Sequence, residues 1–137
     1  MKDSVLEYRK IMEYVPILYV LISLLVFTVL LFLRRRAIVR RSGGPFFVPF
    51  HINRGVFYIH VSLCFSRRMI PLKEIKQITY AIFRGRSGGG SRYAFYIELR
   101  NGKTIPFFFG KSKRNEELVN KLKQNAGKYG FKVHFQR

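Results

Sequence analysis

Residues 15–33 read VPILYVLISLLVFTVLLFL, carry no charge and are followed at once by the arginines Arg34, Arg35 and Arg36. A helix of about twenty apolar residues crosses the ~30 Å hydrocarbon core of a bilayer. A secretory signal has a shorter apolar run and a small-residue cleavage site after it, and a buried core helix shows a polar face. The stretch therefore predicts a transmembrane helix over residues 15–33, preceded by a lead-in over residues 1–14 that we expect outside the cytoplasm.

Charge is distributed unevenly about this stretch. The chain has 137 residues and a net charge of +19, and 23 of its 26 basic residues but only four of its seven acidic ones lie after residue 33. Because Lys- and Arg-rich loops stay cytoplasmic, we expect a single-pass protein of the cell membrane with its N-terminus outside and residues 34–137 in the cytoplasm. The lone cysteine, Cys64, allows no internal disulfide, which fits a reducing compartment.

The part of the chain after the span predicts a linker and one domain. Residues 34–45 combine the basic run RRRAIVRR with Ser-Gly-Gly-Pro and predict a basic juxtamembrane linker that ends in a hinge. Residues 46–137 then alternate with a period of two over several segments. About six strands should precede an amphipathic helix that starts after Ser112 and stops at Gly127, and a short strand should follow over residues 131–135. We expect an α+β fold in which a bent antiparallel sheet is closed by the C-terminal amphipathic helix.

Residues 93–109 contain the clearest hairpin signal. Asn101-Gly102 is typical of a two-residue type I′ turn, which needs positive φ at both central residues. Such a loop would pair Phe95 with Phe108 and Ile97 with Pro106. Both faces of the hairpin would then be aromatic, with one face in the core and the other either covered or exposed to a membrane or a partner.

Two segments carry a resemblance to a known family. They are MIPLKEIKQI at residues 69–78 and FYIELRNGKTI at residues 95–105, followed by the expected closing helix over residues 116–124. In this order they resemble the small bacterial pleckstrin-homology-like domains that follow membrane spans, over about residues 46–126. The resemblance implies a binding scaffold and no reaction. Some small membrane proteins of this type are associated with self-protection against leaderless bacteriocins.

The sequence predicts no catalytic residue, metal site or cofactor. His60 and Cys64 are four residues apart, so on one extended strand they would lie more than 10 Å from each other. Zinc needs more ligands at closer spacing. We therefore do not expect an enzyme.

Arginines are the candidate binding residues. The loop GRSGGGS at residues 85–91 lacks the Walker pattern and joins two strands. A flexible hairpin loop explains it, but the arginines around it could also hold an anionic headgroup with help from backbone amides. We predict contact with anionic lipid or with an acidic protein partner through ten residues: Arg34, Arg35, Arg36, Arg40, Arg41, Arg67, Arg68, Arg84, Arg86 and Arg92.

Three other functions stay open. The stretch from Arg92 to Tyr96 resembles an RNA-recognition strand, but the glycine of that pattern is missing and a tether restricts the targets, so we expect no nucleic acid. A positive domain at the membrane could protect a producing cell against its own cationic membrane-active bacteriocin. The span could also dock into a larger membrane complex, as part of a homo- or hetero-oligomer.

Overall fold

The apolar stretch lies in a long helix. The computed structural model describes residues 1–62, 64, 66–86 and 89–137, and the chain divides into two units, Met1–Arg34 and Arg35–Arg137. Helix α1 spans Lys2–Ser42 and continues through Pro16. It is long and apolar enough to cross a membrane, as predicted. The expected lead-in, span and most of the expected basic linker are thus helical.

The second unit is α+β, as the sequence predicts. Its order of elements is β1 (Phe50–Asn53), β2 (Val56–Ile59), β3 (Met69–Pro71), a 3₁₀ turn (Leu72–Glu74), β4 (Ile75–Phe83), β5 (Arg92–Leu99), β6 (Thr104–Gly110), α2 (Lys113–Tyr129) and β7 (Lys132–Phe135). Six strands, a helix and a further strand therefore follow one another as expected. The alternating stretch after residue 56 forms a strand only as far as Ile59, and Leu63 and Phe65 lie outside the described residues.

The strands form two sheets, which corrects the expectation of one bent antiparallel sheet. One sheet has the order β1-β2-β3 and the other has the order β6-β5-β4-β7. Within the described ranges the strands form no closed barrel. Strand β7 pairs parallel to β4. The reason is that α2 returns the chain to the end of the sheet where β6 began, so β7 runs in the same direction as β6 and β4.

The β5–β6 hairpin has a different register from the one predicted. Phe95 pairs with Phe107, and the loop has three residues, closed by a hydrogen bond from the Leu99 amide to the Lys103 carbonyl at 2.8 Å. Gly102 has φ +87°, whereas Asn101 is not in the positive-φ region. The turn is therefore not type I′, and one extra loop residue moves every β6 side chain to the opposite face.

This register collects most of the large apolar side chains of the hairpin on one face. Phe95, Ile97 and Phe107 are almost fully buried there, together with Phe57 and Ile70 of the three-stranded sheet. The ring of Phe50 lies 5.1 Å from that of Phe57 and 5.6 Å from that of Phe95. A single aromatic core thus joins the two sheets.

Helix α2 covers this core. Ser112 caps its N-terminus, as predicted, by accepting a hydrogen bond from the Asn115 amide at 3.2 Å. The helix passes the predicted stop at Gly127 and ends at Gly130, which has φ +80°. The left-handed conformation falls on Gly130 because its amide bonds back to the last turn. Val119 and Leu122 are buried against the sheet.

Candidate functional site

Three of the predicted arginines lie at one end of the four-stranded sheet. Phe83 ends β4 and pairs with Arg92, which begins β5, while Arg84 and Arg86 follow β4 directly. All three arginines are exposed, and none forms an ion pair with a described residue. Ile82 and Phe83 are also exposed there, by 37% and 53%. This end of the sheet, the arginine end, combines cations with apolar side chains.

The loop that carries two of these arginines turns tightly. A Cβ atom at Gly85 would lie 2.7 Å from the carbonyl oxygen of Gly89. No side chain fits so close to a backbone oxygen, so glycine is required at residue 85. This close approach fixes the backbone of Gly85, which lies between Arg84 and Arg86.

The acidic residues nearest in sequence lie at the other end of the same strands. Glu98 accepts hydrogen bonds from Gln77 at 2.5 Å and from Lys76 at 3.3 Å. These bonds, first that of Gln77, lower the pKa of Glu98. Six residues of extended chain separate it from Arg92, or ~20 Å. Glu98 is therefore too far away to neutralise the positive charge at the arginine end.

Of two other acidic residues, Glu74 is bonded elsewhere, and Glu116 lies near this end of the sheet but on its core side. Glu74 pairs with Arg67 at 2.6 Å. Glu116 belongs to α2, on the core side of the sheet, where burial and the charge of Glu116 raise the pKa of Tyr93. Among the described residues, no acidic side chain faces the arginine end on the side away from α2.

The face of the four-stranded sheet that points away from α2, here called the outer face, is partly apolar. Ala81, Ala94 and Phe108 lie side by side on β4, β5 and β6. Phe108 is 52% exposed, and its ring lies 6.5 Å from that of Tyr96 on the neighbouring strand. An apolar path on the outer face thus runs from Phe108 over Ala94 and Ala81 to Phe83, with Arg92 beside it on β5.

A cavity of about 420 Å³ lies beside this face. Its described lining consists of Val61, Cys64, Ser66, Arg92, Pro106, Phe107 and Phe108. Arg92 is the one charged residue of the described lining. The cavity therefore places a guanidinium beside apolar surface at the border of the outer face.

Two of the predicted arginines have partners within the domain. Arg67 holds Glu74, whereas Arg68 is only 9% exposed. The Arg68 guanidinium donates to the carbonyl oxygens of Val61 at 2.9 Å and Ser62 at 2.7 Å. Arg68 therefore holds the loop after β2. The predicted role of Arg68 in surface contact is not supported, because its guanidinium is not exposed.

The arginines of α1 also differ from one another. Arg35 is half-buried and donates through Nε and Nη2 to the carbonyl oxygen of Phe46, at 3.2 and 2.9 Å. Its guanidinium carbon lies 5.1 Å from the centroid of the Phe46 ring, and burial lowers its pKa. Arg34 belongs to the first unit and is exposed; Arg36, Arg40 and Arg41 are exposed in the second.

Sequence analysis missed a buried Ser–His pair. His60 is fully buried, and its Nε2 lies 2.7 Å from Ser42 Oγ. Its Nδ1 lies 3.1 Å from the Val48 carbonyl oxygen and must donate to it, so Nε2 of the neutral ring accepts a hydrogen bond from the Ser42 hydroxyl, which also lies 2.9 Å from the Val39 carbonyl oxygen. Burial, with smaller effects from His51 and Arg35, lowers the His60 pKa to about 4. The alternation predicted His60 on the polar side, but β2 ends one residue earlier.

This pair fastens the C-terminal end of α1 to the sheet domain. Ser42 Oγ also accepts the Gly44 amide at 3.2 Å, and the Ser42 carbonyl accepts from Asn53 Nδ2 at 2.9 Å. Ser42 is as fully buried as His60, so a substrate carbonyl has no access to its oxygen. The arrangement resembles a nucleophile and its base, but its contacts are those of a structural joint.

The described residues also offer little support for metal binding. Cys64 is 3% exposed, and its sulfur lies 3.9 Å from the Ser66 carbonyl oxygen. The described residues hold no group of three or more His, Cys, Asp or Glu side chains that could share a metal ion. The exposed arginines and the outer face are therefore the candidate functional surfaces.

No family model matches this chain, and no curated protein or solved structure matches it either.

Proposed function

We propose that this protein is a membrane-anchored, non-enzymatic binding module whose basic domain contacts anionic lipid at the cytoplasmic surface of the cell membrane. The observation that carries the proposal is the arginine end. There, three exposed guanidinium groups have no ionic partner in the described part of the domain, and the acids nearest in sequence, Glu74 and Glu98, are bonded elsewhere.

Arginine chemistry supports phosphate as the ligand. A guanidinium presents several N–H donors in a planar fork, which matches the oxygens of a phosphate diester. A basic residue near an anionic leaflet contributes about 1 kcal/mol of attraction. Arg84, Arg86 and Arg92 together would contribute roughly 3 kcal/mol at low ionic strength. This attraction falls with salt, since the Debye length shrinks from ~8 Å at 0.15 M to ~3 Å at 1 M.

Helix α1, the expected membrane anchor, supports the same proposal. Helix α1 supplies an apolar stretch long enough for a bilayer, and the basic run from Arg34 to Arg41 follows it directly. The excess of Lys and Arg after the span favours a cytoplasmic domain. A cytoplasmic leaflet rich in anionic lipid would then lie on the side of the basic domain.

The pleckstrin-homology-like architecture stays part of the proposal. Two sheets with six strands before a capping helix support it, whereas the parallel strand β7 is an addition to that pattern. A scaffold of this kind offers surface loops for binding. The proposal assigns no reaction to the buried Ser42–His60 pair.

Trypsin accessibility tests the proposal on the full chain. The protein is placed in nanodiscs of phosphatidylcholine, with or without phosphatidylserine, and cleavage after Arg84 and Arg86 is timed. We expect cleavage in the anionic discs to be slower by up to about a hundredfold, which corresponds to ~3 kcal/mol. High salt should abolish this protection.

The chain contains its own control. Lys103 lies in the β5–β6 loop at the opposite end of the sheet and is exposed. Cleavage after Lys103 should proceed at the same rate in both discs. Equal cleavage after Arg84 in both discs would contradict lipid contact and favour the acidic protein partner, which crosslinking in intact cells would then capture.

A further inference from the structure

The outer face presents rings that the core does not use. Phe83 and Phe108 are each about half exposed, and neither lies on the face that packs against α2. Two strand spacings and two residues of rise separate them, or ~12 Å. Ala81 and Ala94 lie between them and are small enough to leave both rings as the highest points of this surface.

One cation, Arg92, lies on the outer face itself, on the strand between the two that carry these rings. Arg92 pairs with Phe83 across the β4–β5 ladder, and Arg84 follows Phe83 in sequence. Ile82, exposed by 37%, pairs with Tyr93 and therefore lies on the opposite face of this end of the sheet. Apolar rings bordered by guanidinium groups match the layering of a bilayer surface, in which phosphates lie above the first acyl carbons.

We infer that the outer face is the membrane-contact face of this domain, with Phe83 and Phe108 inserted among the acyl chains and Arg84, Arg86 and Arg92 on lipid phosphates. This inference rests on the proposed function and adds to it a named face and a mode of contact. The occupant is an anionic bilayer, because the bordering cations are complementary to it and the same chain carries a helix able to span one.

Single-stranded RNA is the main competing ligand for a sheet face with exposed rings and arginines. The structure favours the bilayer for two reasons. Of the three aromatic residues in the RNA-like stretch, Tyr93 and Phe95 point into the core and cannot stack on bases, which leaves only the half-buried Tyr96 on the outer face. The second reason is that the same chain carries a helix long and apolar enough to span a bilayer.

Site-specific fluorescence tests the inference, because the chain has no tryptophan. Phe83→Trp and Phe108→Trp each create a single reporter in the full chain, reconstituted into vesicles of phosphatidylcholine and phosphatidylglycerol with acyl-chain-brominated lipids. We expect blue-shifted emission and strong quenching at both positions. Phe135→Trp is the matched control, since Phe135 is 49% exposed but points to the core side of β7. Its emission should be quenched little.

Two further variants separate insertion from charge. In the Phe83→Trp protein, changing Arg84, Arg86 and Arg92 together to Gln should remove most of the quenching by brominated lipid. In the trypsin assay, Phe83→Ser with Phe108→Ser should raise the cleavage rate in anionic nanodiscs roughly tenfold or more, because the two rings no longer insert among the acyl chains. These surface changes leave the core intact, so the variants should fold.

The outcomes distinguish the two proposals. Slow cleavage after Arg84 in anionic lipid, with no quenching of either the Phe83→Trp or the Phe108→Trp protein, would overturn insertion and leave the lipid-binding function standing. The absence of both protection and quenching would overturn both proposals. Quenching of the Phe108→Trp protein by added single-stranded RNA, with none by brominated lipid, would overturn the bilayer as the occupant of this face.

Discussion

The two faces of the four-stranded sheet are made of alternate residues on the same strands, yet they differ sharply in exposure. On β5 and β6, Phe95 and Phe107 are buried on the face toward α2, while Phe108 is half exposed on the outer face. The core face holds rings against rings, and the outer face holds rings beside small residues and arginines. Hydrophobicity alone therefore does not decide burial; the register of the hairpin decides which rings remain available for binding.

The largest effect should come from the core face. Phe95 is fully buried, with its ring 4.9 Å from that of Phe109 and 5.4 Å from that of Phe107. Phe95→Ala should lower the free energy of unfolding by about 3–5 kcal/mol, because it leaves a cavity among these rings. Urea titration of the full chain in detergent, followed by near-ultraviolet circular dichroism, measures this. Phe95→Leu should cost less than about 1.5 kcal/mol; equal losses in both variants would contradict a tightly packed core.

Lowering the pH should destabilise the domain through the buried side chain of His60. The His60 pKa is about 4 in the folded protein and ~6.5 in the unfolded chain. The unfolded chain therefore binds more protons between these values, so the stabilisation is complete above pH ~6.5 and is lost as the pH falls toward 4. The full difference corresponds to about 3 kcal/mol.

The measurement compares pH profiles of unfolding. His60→Gln should be less stable at pH 7 and should show a flatter decline between pH 6.5 and 4 than the wild type. His134, exposed on the outer face of β7, provides the control. His134→Gln should follow the wild-type profile, and a His60→Gln profile parallel to the wild type would refute the buried neutral histidine.

Replacing the glycine of the β5–β6 turn should cost more stability than replacing a glycine inside a helix. Gly102 has φ +87°, so Gly102→Ala should cost about 1–2 kcal/mol through the strained left-handed conformation. Gly127 lies inside α2 with open space around its Cβ position. Gly127→Ala should instead stabilise the domain by about 0.5–1 kcal/mol. Thermal unfolding of the two variants side by side decides, and a stabilised Gly102→Ala would contradict the three-residue turn.

The smallest effect on stability should come from the outer face. Phe108 loses little contact area on truncation because half of its surface already faces solvent. Phe108→Ala should therefore change the free energy of unfolding in detergent by no more than about 0.5 kcal/mol. A loss comparable with that of Phe95→Ala would mean that another part of the protein covers this face, which would remove it as a binding surface.

Local patterns in the sequence predicted the elements well, and contacts between distant residues explain the rest. The Ser112 cap and the apolar stripe of α2 depend on residues a few positions apart, so both could be recognised. The hairpin register depended on whether Asn101 adopts positive φ, which composition does not decide. In the β1–β2 turn, by contrast, Arg54 and Gly55 both have positive φ and form a two-residue loop.

The functional residues were harder to sort than the elements. Arg67 and Arg68 are adjacent and chemically identical, yet one lies on the surface and the other among loop carbonyl groups. Ser42 and His60 meet only because β2 ends at Ile59 and the chain then turns toward the end of α1. The pattern did place Arg84, Arg86 and Arg92 around one loop, because the loop is short and its flanking strands pair directly.

The pairing of β7 with β4 can form only late in synthesis, because β7 is the last strand to be made. At ~5–20 residues per second, the ribosome completes Tyr80 roughly 3–10 s before its partner Phe135. Until then, the edge of β4 that will receive β7 has unpaired backbone groups, which can template pairing with another chain. A nascent chain of this protein is therefore most exposed to strand-mediated aggregation between the emergence of β4 and that of β7, and a chaperone acting in this interval would protect it most.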